Sequence, residues 1–340
     1  MPLWSPSFAV LAALVIVLLA VPLNMLFSKK WDPRGKHCFI TGGSSGTGLS
    51  LAIMLAKRGA HVSIVARDKA KLDKGLKELE LARQNSAQVF GAYSFAVDSE
   101  EGSAAALKAA AEPHSGRCPD ALFLCAGVSM PGFFIEQTGE TLREGLQATY
   151  GTQAFTALAG AKDMVKQGVK GKITFVSSVL GFTSIIGYSN YSPGKFAIRG
   201  LAETLRSELT LYGIDVHISF PATIFTPGYI EENKTKPKIT LKIEETDGGQ
   251  TPEAIAASIL KGVERGDFHI TCDLLGNIFR ASTAGASPRN NYLMDLLYGL
   301  IGYIGFPIWR KSVDSQVLAH RVEHQEYLNN KGIPENLTFK

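Results

Sequence analysis

The stretch that most limits the fold is FITGGSSGTGLSLAIMLAKRG, residues 39–59. A short apolar run ends in a glycine-rich turn, and a helix-length amphipathic stretch follows at once. Gly42, Gly46 and Gly48 give the spacing GxxxGxG. Glycines at such a turn let the backbone bend tightly and approach a pyrophosphate closely. The helix start behind them offers unpaired N–H groups and a partial positive charge. Ser44 and Ser45 lie inside the same loop and are candidate cofactor contacts. A loop with three glycines is common; its weight comes from standing at the head of a strand–helix series.

That series runs on. KHCFI, HVSIVAR, VFGAYSFAV, ALFLCAG, KITFVSS and IDVHISF are strand candidates, each separated from the next by helix-length sequence. Such alternation implies an α/β chain, with a Rossmann-like doubly wound parallel sheet covered on both faces. One domain is expected over 34–275, with no internal repeat. The net charge of +4 is too small to point to nucleic acid as a partner. None of the four cysteines falls in a CxxC or Cys/His zinc spacing, so no metal site is expected and the thiols read as reduced. The sequons at Asn233 and Asn336 are then expected to be unmodified.

Apolar residues concentrate near the two ends. Residues 8–27 read FAVLAALVIVLLAVPLNMLF, with no charged side chain before Lys29. Twenty residues of helix span about 30 Å, the thickness of a bilayer core. No basic residue or A-x-A pattern marks a signal peptide. We expect a transmembrane helix within 1–28, with Lys29, Lys30, Arg34 and Lys36 holding the following domain in the cytosol. In the C-terminal extension, 276–340, the run 292–309 contains Asp295, three glycines and Pro307. A membrane-associated interfacial or re-entrant segment is expected there; the competing reading is a helix packed on the domain.

The second strand ends in IVARD, placing Arg67 where an acidic residue would otherwise bind a ribose hydroxyl. A guanidinium suits a 2′-phosphate, so the expected cofactor is NADPH. The alternative is that Arg67 caps the next helix or is merely solvated. Asp98 is a candidate for the adenine side or for a helix cap. Tyr191 and Lys195 lie four residues apart, so a helix would bring phenol and ammonium together. A nearby cation would lower the tyrosine pKa. Ser178 ends the strand KITFVSS thirteen residues upstream. Pro193 and Gly194, between tyrosine and lysine, are tolerable if Ser189 or Asn190 is the N-cap and Pro193 falls in the first turn.

TGGSSGTG, LCAG (124–127), Ser178 and YSPGK together resemble the short-chain dehydrogenase/reductase family over about 240 residues. The resemblance implies that Ser178 positions a substrate carbonyl and Tyr191 donates the proton. It also implies that Lys195 binds the nicotinamide ribose, with Gly127 along the cofactor. FPATIFTPG resembles the family's segment after the sixth strand, which sets Ile224 and Thr226 near the carboxamide or pyrophosphate. Two departures stand out. Thr149 replaces the asparagine that usually anchors a water relay to the lysine, and Pro221-Ala222 replaces Pro-Gly.

KFAIRGLAETLRSEL, TPGYIEENKTKP and PEAIA…GDF resemble the 3-ketodihydrosphingosine reductase branch of that family. This implies an NADPH-dependent reductase of a long-chain sphingoid ketone on the cytosolic face of the endoplasmic reticulum membrane, in contact with membrane lipid. A homo-oligomer is compatible with it. Residues 224–245 are the expected substrate lid. Glu231 and Glu232 there either face the substrate ammonium or form a solvated helix start. Competing functions are a membrane-bound steroid or retinoid dehydrogenase and a non-catalytic NADPH-binding membrane scaffold.

Overall fold

A computed structural model describes residues 31–245 and 248–333. The expected anchor at 8–27 and the sequon at Asn336 lie outside the described residues.

The six expected strands form, five within their expected runs and β1 one residue past the end of KHCFI. They are β1 (His37–Thr41), β2 (His61–Ala66), β3 (Phe90–Ser94), β4 (Ala121–Leu124), β5 (Lys172–Val176) and β6 (Asp215–Phe220). A seventh, β7 (His269–Thr271), was not anticipated; three residues carry too little periodicity to read. The described strands make one parallel sheet in the order β3-β2-β1-β4-β5-β6-β7. Every residue of β1, β4 and β5 is buried, as a sheet covered on both faces requires.

On one face lie α1 (Gly46–Lys57), α2 (Lys69–Leu81) and α9 (Pro252–Arg265), over a core that includes Ile40, Leu51, Ile64 and Ile259. On the other lie α3 (Glu100–Ala111), α5 (Thr152–Gln167) and α6 (Ser192–Leu209), over Phe39, Leu122, Phe175 and Phe220. Strand order reverses between β1 and β4. In register, Thr41 ends opposite both Val65 and Leu124, so three carboxyl ends finish level at the reversal. Open α/β sheets bind ligands at this crevice.

The expected lid holds two helices, α7 (Pro227–Thr235) and α8 (Lys238–Glu244). The Asn233 side-chain oxygen is buried in α7. Past the sheet come α10 (Leu274–Ser282), α11 (Tyr292–Ala319) and α12 (Arg321–Asn330). The re-entrant reading of 292–309 is corrected: the run is the first part of one continuous 28-residue helix that passes through Pro307. Side-chain contacts hold it to the domain. Arg280 of α10 donates to both oxygens of Asp295, at 2.9 and 2.6 Å, and both side chains are 2% exposed. Phe306 stacks on Phe279 with centroids 4.1 Å apart. Farther along, Val313 packs with Ile239 and Ile243 of α8. Arg310 donates to the Ser184 carbonyl at 2.8 Å. Leu293, Leu297, Leu300, Ile304 and Ile308 remain exposed. By length and composition α11 can cross a bilayer, yet its Asp295 side is committed to protein.

Candidate active site

The glycine loop joins β1 to α1 at the strand-order reversal. Gly42 has φ +66°, and a Cβ there would lie 3.0 Å from the Ala126 nitrogen and from the backbone of Cys125. Gly46 has φ +54° and faces Thr226, whose Cγ2 would be 3.2 Å from an added Cβ. A Cβ on Gly48 would collide with the Gly42 carbonyl. Two of the three conformations therefore disfavour any L side chain, and the third position has no room. Thr41 Oγ1 accepts from Ala126 N–H at 3.1 Å, tying the loop to the β4 end that carries Gly127. Ser45 is the N-cap of α1, and its side chain makes no capping bond. Ser44 is half-buried beside it. The result is a backbone cradle with a helix start aimed into it, shaped for an anionic diphosphate.

Arg67 is exposed at the end of β2 and has no ion-pair partner among the described residues. It is not the cap of α2: Asp68 is, accepting from Lys71 N–H. Asp98 is exposed too, and Ser99 caps α3 in its place. The Asp98 carbonyl accepts from the Gln147 side chain. Ile224 pairs in a short bridge with Gln250. Thr226 caps α7, accepting from Tyr229 N–H at 3.1 Å.

Ser178, Tyr191 and Lys195 converge. Ser178 is 8% exposed, and its Oγ accepts from Leu180 N–H at 3.2 Å, which leaves its hydrogen free to donate. It lies close enough to Tyr191 to oppose the rise in that residue's pKa. Lys195 Nζ donates to the Val176 carbonyl at 3.0 Å and lies 5.4 Å from the centre of the Tyr191 ring. The expected N-cap is corrected: α6 begins at Ser192, with Tyr191 itself as N-cap. Ser189 Oγ and Asn190 Oδ1 are buried without hydrogen-bond partners, so neither caps the helix. The Tyr188 carbonyl instead accepts from Tyr191 N–H at 3.1 Å and Ser192 N–H at 2.9 Å. Pro193 still falls in the first turn, where a missing N–H costs no helix bond.

Gly194 has a specific neighbour. A Cβ there would lie 2.7 Å from Thr149 Cβ and would overlap Thr149 Oγ1. Thr149 is fully buried in the π-helical turn Gln147–Gly151, a local widening often found at functional sites. Its hydroxyl donates to the carbonyl of Gly145, in α4 (Gly139–Leu146), at 2.6 Å. The side chain packs against the catalytic helix, and the hydroxyl, having given its proton to Gly145, keeps lone pairs able to accept from a water.

Electrostatics depart from expectation in one respect. The Tyr191 pKa is raised, not lowered: burial is the main cause, Glu232 the second, and the Ser178 side chain opposes them. Burial also pushes Lys195 down, to about 8, with nearby Cys125 opposing. A buried ammonium close to its own titration point is a weak partner for a phenolate.

Of the lid carboxylates, Glu231 is solvated and pairs with Lys234. Glu232 turns inward, to 2.7 Å from Tyr188 Oη. Glu244 and Lys236 complete that cluster. No periodicity marks these three partners of Glu232; the only signal was their place in the lid and in GYSNY.

A family profile described as short chain dehydrogenase matches residues 36–237. A Cryptococcus neoformans protein named 3-ketodihydrosphingosine reductase is 42% identical over 330 residues, covering 96% of this chain and 98% of its own. A zebrafish (Danio rerio) protein named 3-dehydrosphinganine reductase is 37% identical over 282 residues, covering 82% and 84%. Among solved structures, a short-chain dehydrogenase from Sphingobium yanoikuyae in complex with NADPH superimposes with a TM-score of 0.60. It is 25% identical, over 69% of this chain and 87% of that one. With the profile spanning more than half of the sequence, this chain belongs to the short-chain dehydrogenase family and is an oxidoreductase.

Proposed function

We propose that this enzyme reduces 3-ketodihydrosphingosine to dihydrosphingosine with NADPH. The observation that carries the reading is the 42% identity to a reductase of that name over nearly the whole of both chains. The convergent Ser178–Tyr191–Lys195 set supports it. The residues present fit a dinucleotide. Gly42, Gly46 and Gly48 leave the space a pyrophosphate backbone needs, and Arg67 offers an unpaired guanidinium at the end of β2. When bound, NADPH supplies the hydride. Ser178 donates to the ketone oxygen and holds it beside the phenol. Tyr191, kept protonated at neutral pH by burial and by Glu232, gives its proton to that oxygen as it becomes an alkoxide. An alkoxide is more basic than a phenolate, so a raised tyrosine pKa still leaves the transfer downhill. Lys195 holds the ribose and restores the proton.

The exposed apolar side of α11 supports contact with lipid, where a long-chain ketone resides. We place the enzyme at the endoplasmic reticulum membrane with the domain in the cytosol, held by residues 1–28 and α11. Turnover of 3-ketodihydrosphingosine by the purified protein tests the activity, and no turnover would refute it.

Two further results are expected. Arg67→Ala should weaken NADPH binding about ten- to a hundredfold and leave NADH nearly untouched, as measured by titration. Equal loss for both cofactors would assign Arg67 to folding. Second, Lys195 loses its charge as pH rises through about 8. Below that value the ammonium is present; above it, kcat/KM for NADPH should fall about tenfold per pH unit. Arginine keeps its charge throughout, so whatever activity remains in Lys195→Arg should lack this limb. A limb unchanged in that variant would assign it to another group.

A further inference from the structure

We infer that Glu232 selects for a substrate that carries a cation beside its ketone. This rests on the amino-ketone reading above and assigns a residue to its amine.

Tyr188 Oη lies 2.7 Å from both Glu232 Oε1 and Glu244 Oε1. A phenol has one proton, so it satisfies one carboxylate and leaves the other facing its lone pairs. Among the described residues one cation pairs with these carboxylates: Lys236, whose side chain is wholly buried. Its ammonium sits 2.7 Å from Glu244 Oε2 and 3.1 Å from Glu232 Oε1, so it is drawn toward Glu244. Its remaining surroundings are the rings of Tyr188 and Tyr229, at 5.7 and 4.9 Å. Two carboxylates therefore share one ammonium and one phenolic proton, and Glu232 lies the farther of the two from the ammonium.

Glu232 is also the carboxylate turned toward the reaction. It is the charged group whose field reaches Tyr191. The Tyr188 ring stands 5.8 Å from the Tyr191 ring. Glu232 keeps 18% exposure, against 12% for Glu244. In an amino ketone the amine is on the carbon next to the carbonyl. With the carbonyl oxygen between Ser178 and Tyr191, an ammonium on that carbon reaches toward Glu232, which is one cation short. A steroid or retinoid ketone offers no charge there, and its binding would leave Glu232 desolvated and under-partnered, which disfavours it.

The test compares 3-ketodihydrosphingosine with its N-acetyl derivative, a neutral ketone of the same chain. Wild-type enzyme with NADPH should favour the amine by tenfold or more in kcat/KM, within the range for a charge-assisted contact. In Glu232→Gln that preference should collapse, through a rise in KM for the amine that the N-acetyl ketone does not share, whatever change in kcat the two ketones have in common. Glu231→Gln should keep the preference. A Glu232→Gln enzyme that retains the preference, or loses both substrates equally while still binding NADPH, overturns the inference. If that variant cannot bind NADPH, Glu232→Asp decides, because it keeps the charge on a shorter arm. A retained preference at a raised KM supports the assignment, and equal change for both ketones refutes it. Wild-type enzyme that reduces both ketones without preference refutes the inference alone; wild-type enzyme that reduces neither refutes the reductase reading beneath it.

Discussion

Tyr191→Phe is expected to cut turnover by about 10²- to 10⁴-fold, the usual contribution of a positioned general acid. Loss of the hydroxyl should leave the fold intact. The Tyr191 amide and carbonyl, which start α6, are unaffected by the change. Ser178 Oγ keeps its bond from Leu180 N–H, and Lys195 Nζ keeps the Val176 carbonyl. Phenylalanine fills the same space in a partly buried site. NADPH should therefore bind the variant as it binds the parent. Stopped-flow measurement of NADPH oxidation, beside a binding titration, separates the two quantities. Turnover within tenfold of the parent would remove Tyr191 as the acid and return attention to Ser178.

The largest effect on stability is expected at Asp295. Asp295→Asn leaves the Arg280 guanidinium 2% exposed without its carboxylate. Removing one partner of a buried pair costs about 3–5 kcal/mol, because the remaining charge stays desolvated. For a chain of this size the melting temperature should fall by on the order of 10 °C. The loss should concentrate in α11, which meets α10 through this pair and through Phe306 on Phe279. Replacing both partners, Arg280→Met with Asp295→Leu, should restore most of the loss, since an apolar pair carries no desolvation debt. Thermal melts in one detergent decide it. An Asp295→Asn protein that melts within about 1 °C of the parent would mean water reaches Arg280.

The strands were legible because a doubly covered parallel sheet demands near-continuous apolar runs, and KITFV and ALFL are such runs. The glycine loop was legible for a similar reason: its positions tolerate almost no alternative. β7 escaped because a three-residue strand at a sheet edge leaves no pattern. Contacts between distant segments were out of reach. That Gly194 leaves room for Thr149 depends on how the π-helical turn before α5 lies across α6. Glu231 and Glu232 are adjacent and identical in type; only the rotation of α7 decides which of them turns inward. The Tyr191 pKa was misjudged because spacing to Lys195 is visible in a sequence, whereas burial and the approach of Glu232 are not. Asp295 read as a flaw in an apolar run; in the fold it is the residue that fastens the run to the domain.

The contact between Gly46 and Thr226 has a consequence for the chain's own synthesis. The cofactor cradle begins with some of the first residues of the domain, yet one wall arrives about 180 residues later. At a synthesis rate of about 5–20 residues per second, that gap lasts roughly 10–40 s. During it β2, β3 and then β4 emerge and can pair beside β1, but the Thr226 wall is not yet in place. A ligand stabilises only the state that binds it. Cellular NADPH, however abundant, therefore lends the nascent domain nothing until α7 has emerged. Truncations ending before Thr226 should accordingly gain no protease resistance from NADPH, while those extending past the end of β7 should.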